Sequence, residues 1–304
     1  MHFDLLPVDV RPQAAARLAD IVRNNHYHLT TGFVGTPYLC HVLSRFGHSD
    51  VAYELLNQES FPSWLYPVKK GATTIWERWD GIKPDGSFQD AGMNSFNHYA
   101  YGAIGEWLYR VVAGIVSATD TVGEAGYKHV WIQPQPGGGL THARATLDSP
   151  YGLIEAAWEL TATDFRLKVT VPANSHATIR LPATALAQVS EGGQPVASGT
   201  VIDGIASIEV ASGSYEFVTT GTNLGQVMAT VKHVAGRLDR YSSLGEFLAN
   251  DRAKAELIAQ TGSEFLQAPM IGFVMNSPLV ELAERAPNLL NAEKLAAIEE
   301  ALRA

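Results

Sequence analysis

The sequence predicts a multidomain α and β chain: part of an α/α toroid, then an antiparallel β-sandwich, then a small helical tail. Three observations carry this. Apolar residues recur at helical spacing up to about residue 117. The period then changes near Gly114, and from Lys128 to about Thr220 short alternating runs lie between turn signals. Helical spacing returns after Thr222. The expected domains are therefore 1–117, 118–222 and 223–304.

In the first region, Pro12 to Asn25 places Ala15, Leu18, Ile21 and Val22 on one helical face. Thr36-Pro37 reads as a helix start, with Thr36 as N-cap and Pro37 at the first position. Leu39, Val42, Leu43 and Phe46 form its stripe, and Gly47 ends it. Ser49-Asp50 opens another helix through Leu55 and Leu56. So short a linker makes the two helices antiparallel neighbours. A loop from Pro62 to about Asn94 follows, rich in glycine and proline, and loops of that length are usually functional. Helix resumes near Asn97, with Ile104, Trp107, Leu108, Val111 and Val112 inward.

In the second region Phe165, Leu167, Val169 and Val171 alternate with Arg166, Lys168 and Thr170, the mark of a half-buried strand. Trp131-Ile132, Ile154 to Leu160, Thr178 to Leu181, Ile205 to Val210 and Tyr215 to Val218 supply further strands. Turns fall at Pro134 to Gly139, Glu191-Gly192-Gly193 and Ser212-Gly213. This spacing suits a sandwich of roughly 100 residues. In the third region Leu244, Phe247, Leu248, Leu257 and Ile258 fit amphipathic helices, and Ala292 to Leu302 closes the chain as another. The tail reads as a packing or docking module.

Composition narrows the function. The 304 residues carry a net charge of -9, which disfavours nucleic acid or an anionic membrane as the main partner. No run approaches the ~18 apolar residues of a membrane span. The single cysteine, Cys40, excludes an internal disulfide and a cysteine-based zinc site. It lies beside an apolar stripe and reads as core. Met1 to Pro7 shows no signal-peptide pattern, so a cytoplasmic location is expected.

Chemistry concentrates between Pro62 and Trp107, where four of the six tryptophans sit: Trp64, Trp76, Trp79 and Trp107. Aromatic faces with a few polar groups suit a sugar ring. Glu77, between Trp76 and Arg78, is the candidate catalytic carboxylate, since glycoside hydrolysis uses a pair of them. It could equally pair with Arg78 or Arg110. His98 could donate to a sugar hydroxyl, or be a helix-start histidine satisfied by backbone. Asp80, Asp85 and Asp90 lack the spacing of a calcium loop and read as turn residues, so no metal and no cofactor are assigned.

Several strings in this region resemble bacterial α-L-rhamnosidases of glycoside hydrolase family 78. They are Thr31 to Leu39, Pro62-Ser63-Trp64, Gly71 to Gly81, Gly92 to Tyr99 and Gly105 to Tyr109. The resemblance runs over roughly residues 3 to 220. It implies an (α/α)6 catalytic barrel followed by a β-sandwich, and inverting release of terminal α-L-rhamnose from glycosides or oligosaccharides. It implies Glu77 as general base and His98 as a sugar-contacting histidine, with Trp64, Trp76 and Trp79 as pocket walls.

Family members carry their general acid upstream, in a motif of the type Asp-x-x-x-Arg-Asp-Glu-Arg-x-Gly-Trp, which this sequence does not contain. The expectation is therefore a C-terminal fragment, inactive alone, whose partner is an upstream half of the barrel or a second copy of itself. The alternative is a non-catalytic carbohydrate-binding or assembly module.

Overall fold

The computed structural model describes residues 1–118, 125–161, 163–221, 238, 244–268, 271–275, 277 and 279–303. The chain divides into two compact units, Met1–Ala103 with Lys232–Ala304, and Ile104–Val231.

The first unit opens with three helices, α1 (Arg11–Asn24), α2 (Thr36–Arg45) and α3 (Ser49–Asn57). The inward face of α1 is Ala15, Ala19 and Val22. Ile21, expected inside, is 45% exposed, because the small alanines let the helix approach its neighbours on the other flank. On α2 the expected stripe Leu39, Val42 and Leu43 is buried together with Cys40. Thr36 is the first helical residue and not the cap. Its hydroxyl donates back to Gly32 O at 2.9 Å, and Gly35 holds the cap position. Pro37 still fixes φ in the first turn, as expected. Burial also pushes the Cys40 thiol up to about 12, so it is core and chemically quiet.

The tail of this unit contains α6 (Leu244–Ala249), α7 (Asp251–Thr261), α8 (Leu279–Arg285) and α9 (Ala292–Arg303). Asn250 and Asn291 cap two of these helices, accepting from Ala253 N and Lys294 N at 3.0 Å each. The tail has its own core of Leu244, Phe247, Leu257, Phe265, Leu279, Leu290, Leu295 and Ile298. Gly245 seats against the loop near the candidate site: a Cβ there would lie 2.7 Å from Pro84 Cβ. The expected start of the tail, from Thr222, falls outside the described residues up to 243, Leu238 excepted.

Among the described residues the second unit holds eleven strands in two sheets, ordered β1-β2-β6-β10-β9 and β3-β4-β5-β11-β7-β8. The first sheet uses β1 (Ile115–Ser117), β2 (His129–Ile132), β6 (His176–Pro182), β9 (Thr200–Ile202) and β10 (Ile205–Val210). The second uses β3 (His142–Ser149), β4 (Gly152–Leu160), β5 (Asp164–Val171), β7 (Val189–Glu191), β8 (Gln194–Pro195) and β11 (Gly213–Thr220). One pair departs from the antiparallel expectation: β2 runs parallel to β6, with His129 opposite His176 and Ile132 opposite Ile179.

Alternation decides what each sheet buries. Phe165, Leu167, Val169 and Val171 of β5 point inward, as do Ile154, Ala156, Trp158 and Leu160 of β4. Ile132, Ala177, Ile179, Leu181 and Ala206 form the matching face of the other sheet. Gly192 and Gly193, at φ 55° and 82°, make the two-residue turn between β7 and β8, which needs positive φ at both positions. Gly114 marks the change of period for a steric reason. It sits at φ 82°, and a Cβ there would lie 2.1 Å from Pro134 N.

The helical segment before β1 belongs to this unit. After a 3₁₀ turn at Ala100–Ala103 come α5 (Ile104–Trp107) and a wide π-type turn, Leu108–Val112. Trp107, Val111 and Val112 are buried, but the wide turn swings Leu108 out to 37% exposure. Trp158 Nε1 donates to Val112 O at 2.6 Å, tying this segment to β4.

Candidate active site

The long loop is ordered by aromatic packing rather than by regular structure. It contains one short α-helix, α4 (Leu65–Lys69), and a 3₁₀ turn, Ala91–Met93, where a loop was expected. Tyr66 on α4 is buried, and its hydroxyl donates to Ile82 O at 3.0 Å. Trp64 donates its indole N–H to Tyr101 O at 3.0 Å and meets Trp79 edge-on, ring centroids 5.7 Å apart. Trp79 stacks on Tyr101 at 3.7 Å. Burial pushes the Tyr101 phenol up, and the positive charge of Arg78 pulls it partly back. Trp76 packs edge-on to Phe96 at 4.9 Å.

On this bed two extended segments run antiparallel. His98 N donates to Ile75 O at 2.8 Å, Glu77 N donates to Ser95 O at 2.8 Å, and the Thr74 hydroxyl donates to Phe96 O. The pairing sets Glu77 and His98 on adjacent segments of one small ladder. Glu77 is half-buried, and its Oε2 accepts the Ser95 N–H at 2.8 Å. Its other oxygen has no partner among the described residues. A carboxylate fixed through one oxygen and open at the other can take a proton from a bound water. Neither arginine considered as its partner is used that way. Arg78 pairs with Asp80 at 3.2 Å and Arg110 with Glu106 at 2.9 Å.

His98 lies flat against Phe33, centroids 4.7 Å apart at 21°, and against Tyr99 at 5.4 Å and 7°. Its Nδ1 accepts the Ala100 N–H at 3.4 Å. That contact places the proton of the neutral ring on Nε2, where it can donate outward. The backbone contact considered from sequence is thus present, and it leaves the second nitrogen available.

The three indoles considered as pocket walls are packed inward: Trp64, Trp76 and Trp79 are 8%, 5% and 9% exposed. Asp80 lies in a turn as read, but it is also buried. It is 6% exposed and held by Arg78 at 3.2 Å and by Gln89 Nε2 at 2.6 Å. A buried carboxylate needs such partners, and Asp80 here braces the loop. Asp85 and Asp90 are turn residues as read. Asp85 accepts from the Ser87 N–H and hydroxyl, which hold its carboxyl below the usual range, and Asp90 accepts from Gly92 N at 2.7 Å. Among the described residues no group of three or more His, Cys, Asp or Glu could hold a metal ion.

Sequence reasoning missed Ser95, which aims Glu77, and Phe33, which backs His98. Both lie inside the strings that carried the resemblance, so those strings were the available signal. It also missed Gly81, where a Cβ would lie 2.8 Å from Asn94 Oδ1 and 3.2 Å from Trp76.

Residues 1–112 match the bacterial α-L-rhamnosidase six-hairpin glycosidase domain, and residues 120–195 match the bacterial α-L-rhamnosidase C-terminal domain. Both models describe domains of a glycosidase family. An α-L-rhamnosidase of Streptomyces avermitilis is 47% identical over 220 residues, 71% of this chain and 20% of the relative. One from Formosa agariphila is 44% identical over 182 residues, 60% of this chain and 19% of the relative. The crystal structure of the Streptomyces avermitilis enzyme complexed with L-rhamnose aligns at a TM-score of 0.66 and 46% identity, covering 72% of this chain and 21% of that one. The Aspergillus terreus enzyme aligns at 0.60 and 37%, covering 70% and 22%. The chain belongs to the bacterial α-L-rhamnosidase family. It spans about a fifth of the length of the curated relatives it matches.

Proposed function

We propose that this chain carries one wall of an inverting α-L-rhamnosidase site. Glu77 is its general base and His98 a donor to a sugar hydroxyl. Trp64, Trp76 and Trp79 shape that wall from behind, as the packed bed under the Glu77–Ser95 ladder. The observation that carries the reading is the Glu77 carboxylate, held by Ser95 N through one oxygen and open at the other. Its substrates are glycosides or oligosaccharides ending in α-L-rhamnose.

Inverting hydrolysis also needs a general acid about 6.5–9.5 Å across the sugar from the base. The acid motif of the family is absent from this sequence. Asp80, the nearest carboxylate along the chain, is held by Arg78 and Gln89. The helices of the first unit are read as part of an (α/α)6 toroid. The partner is the remainder of such a barrel or a second copy. Val34 and Tyr99, 85% and 89% exposed, support an unpartnered face beside His98.

Purified chain is expected to leave a chromogenic α-L-rhamnoside intact. It should bind L-rhamnose in calorimetry, about tenfold more weakly after His98→Ala. Turnover abolished by Glu77→Gln would overturn the inactivity. Rhamnose binding unchanged by Glu77→Gln and His98→Ala would favour the non-catalytic binding module instead.

A further inference from the structure

The geometry points to a second carbohydrate site in the Ile104–Val231 unit: a cavity beside α5 that takes one neutral pyranose ring. The cavity encloses about 290 Å³, room for a single sugar residue. Tyr109 and Tyr127 supply two aromatic walls, and Ile115 and Leu147 line it with aliphatic surface. Rings and aliphatic carbons of this kind cover the C–H faces of a pyranose. Tyr127 sits at φ 69°, a left-handed conformation uncommon for a bulky residue and of the sort held at binding sites.

The polar groups select the ligand class. Arg110 Nη1 pairs with Glu106 Oε1 at 2.9 Å on the rim. The pair is neutral as a whole, and the chain carries a net charge of -9, so an anionic ligand has nothing to gain here. The remaining Arg110 N–H groups can donate. The Ser117 and Tyr127 hydroxyls have no hydrogen-bond partner among the described residues. A purely apolar ligand would strip water from these groups and leave them unpaired. A polyol with one apolar face satisfies both sets. This site uses none of the residues assigned to rhamnose at Glu77 and His98, and it does not rest on that reading.

Gly105 offers a clean test. It lies in α5, and a Cβ there would meet nothing within 4 Å. Gly105→Leu therefore adds apolar bulk to the cavity lining from an unobstructed Cβ, with a better helix former. The probes are L-rhamnose and D-glucose, followed by saturation-transfer NMR on the full chain carrying Glu77→Gln and His98→Ala, so that the first site is weakened. At least one sugar is expected to bind in that background. Adding Gly105→Leu should weaken it at least about tenfold, as should Tyr127→Asn, which removes the ring while tolerating the left-handed backbone. The proposal is overturned if neither sugar binds the folded background protein, or if the binding ignores both cavity variants.

Discussion

The loop around Glu77 and the β-sandwich bury their tryptophans by different means. In the sandwich, Trp158 is inward because β4 alternates, and it is 2% exposed with its N–H on Val112 O. In the loop, Trp64, Trp76 and Trp79 are nearly as buried without a repeating backbone. Each is fixed by a particular ring or carbonyl: Tyr101 O for Trp64, Phe96 for Trp76, Tyr101 for Trp79. A periodic element spreads the cost of an error over a ladder of hydrogen bonds. An aperiodic one depends on individual contacts, but it can place a carboxylate where no strand or helix would.

That contrast predicts the ordering of core truncations. Trp158→Ala is expected to cost about 4–5 kcal/mol, because the strands around it cannot collapse into the space. Trp79→Ala should cost nearer about 3 kcal/mol, since the loop can partly close. Urea unfolding followed by circular dichroism measures both, and the reverse order would break the comparison.

The glycines come next. Gly114→Ala needs a left-handed alanine and drives Cβ to 2.1 Å from Pro134 N, so about 3 kcal/mol or more is expected. Gly81→Ala has no backbone penalty of that kind and meets mainly the Asn94 amide and the Phe96 and Trp76 rings, which can shift. About 1–3 kcal/mol is expected, together with faster hydrogen exchange at the Ser95 amide that aims Glu77. A Gly81→Ala protein with native exchange at Ser95 would detach the loop floor from the site.

The same contrast explains what the sequence made legible. β4, β5 and β10 were readable because burial there follows a period of two, and the stripe of α2 because it follows a period of 3.6. The composition of Gly71 to Gly81 marked the loop as unusual. It did not reveal which way the indoles turn, because Trp64 meets Tyr101, Glu77 meets Ser95 and Phe33 meets His98 across long separations with no repeat to anchor them. The burial of Asp80 was hidden for the same reason, its partner Gln89 lying nine residues further along the chain. The parallel β2–β6 pair was hidden too, since a buried strand reads alike whichever way its neighbour runs.

Alkaline pH separates the helices from both regions. Burial raises the Cys40 thiol from 9.0 to about 12 and the Tyr53 phenol above its ordinary value, and both belong to α2 and α3. Each keeps its proton longer when folded than when unfolded. Their contribution is full below pH 9 and falls as pH rises from there toward the folded values, by at most about 1.4 kcal/mol per pH unit per group. Cys40→Ala should flatten the decline that begins near pH 9, read as the slope of unfolding free energy against pH. An unchanged slope would place the alkaline sensitivity elsewhere.

The smallest effects fall on ion pairs, and here the two regions should again separate. In the sandwich, Arg144 reaches Glu155 at 2.7 Å across β3 and β4, with the arginine side chain 66% exposed. Water and salt screen such a pair, and holding a long side chain in place costs entropy, so Arg144→Ala is expected to cost no more than about 0.5 kcal/mol. Near the loop, Lys69 of α4 reaches Glu59 at the same 2.7 Å, but the Glu59 side chain is only 8% exposed. Removing the ammonium takes a partner from a carboxylate that water barely reaches, and Lys69→Ala should cost about 1–3 kcal/mol. Raising salt should shrink the Arg144 effect and leave more of the Lys69 effect, because a pair with one buried partner is screened less. Equal costs with equal salt dependence would mean that the loop is wetter than its packing implies, and that the Glu77 ladder is held by its backbone bonds alone.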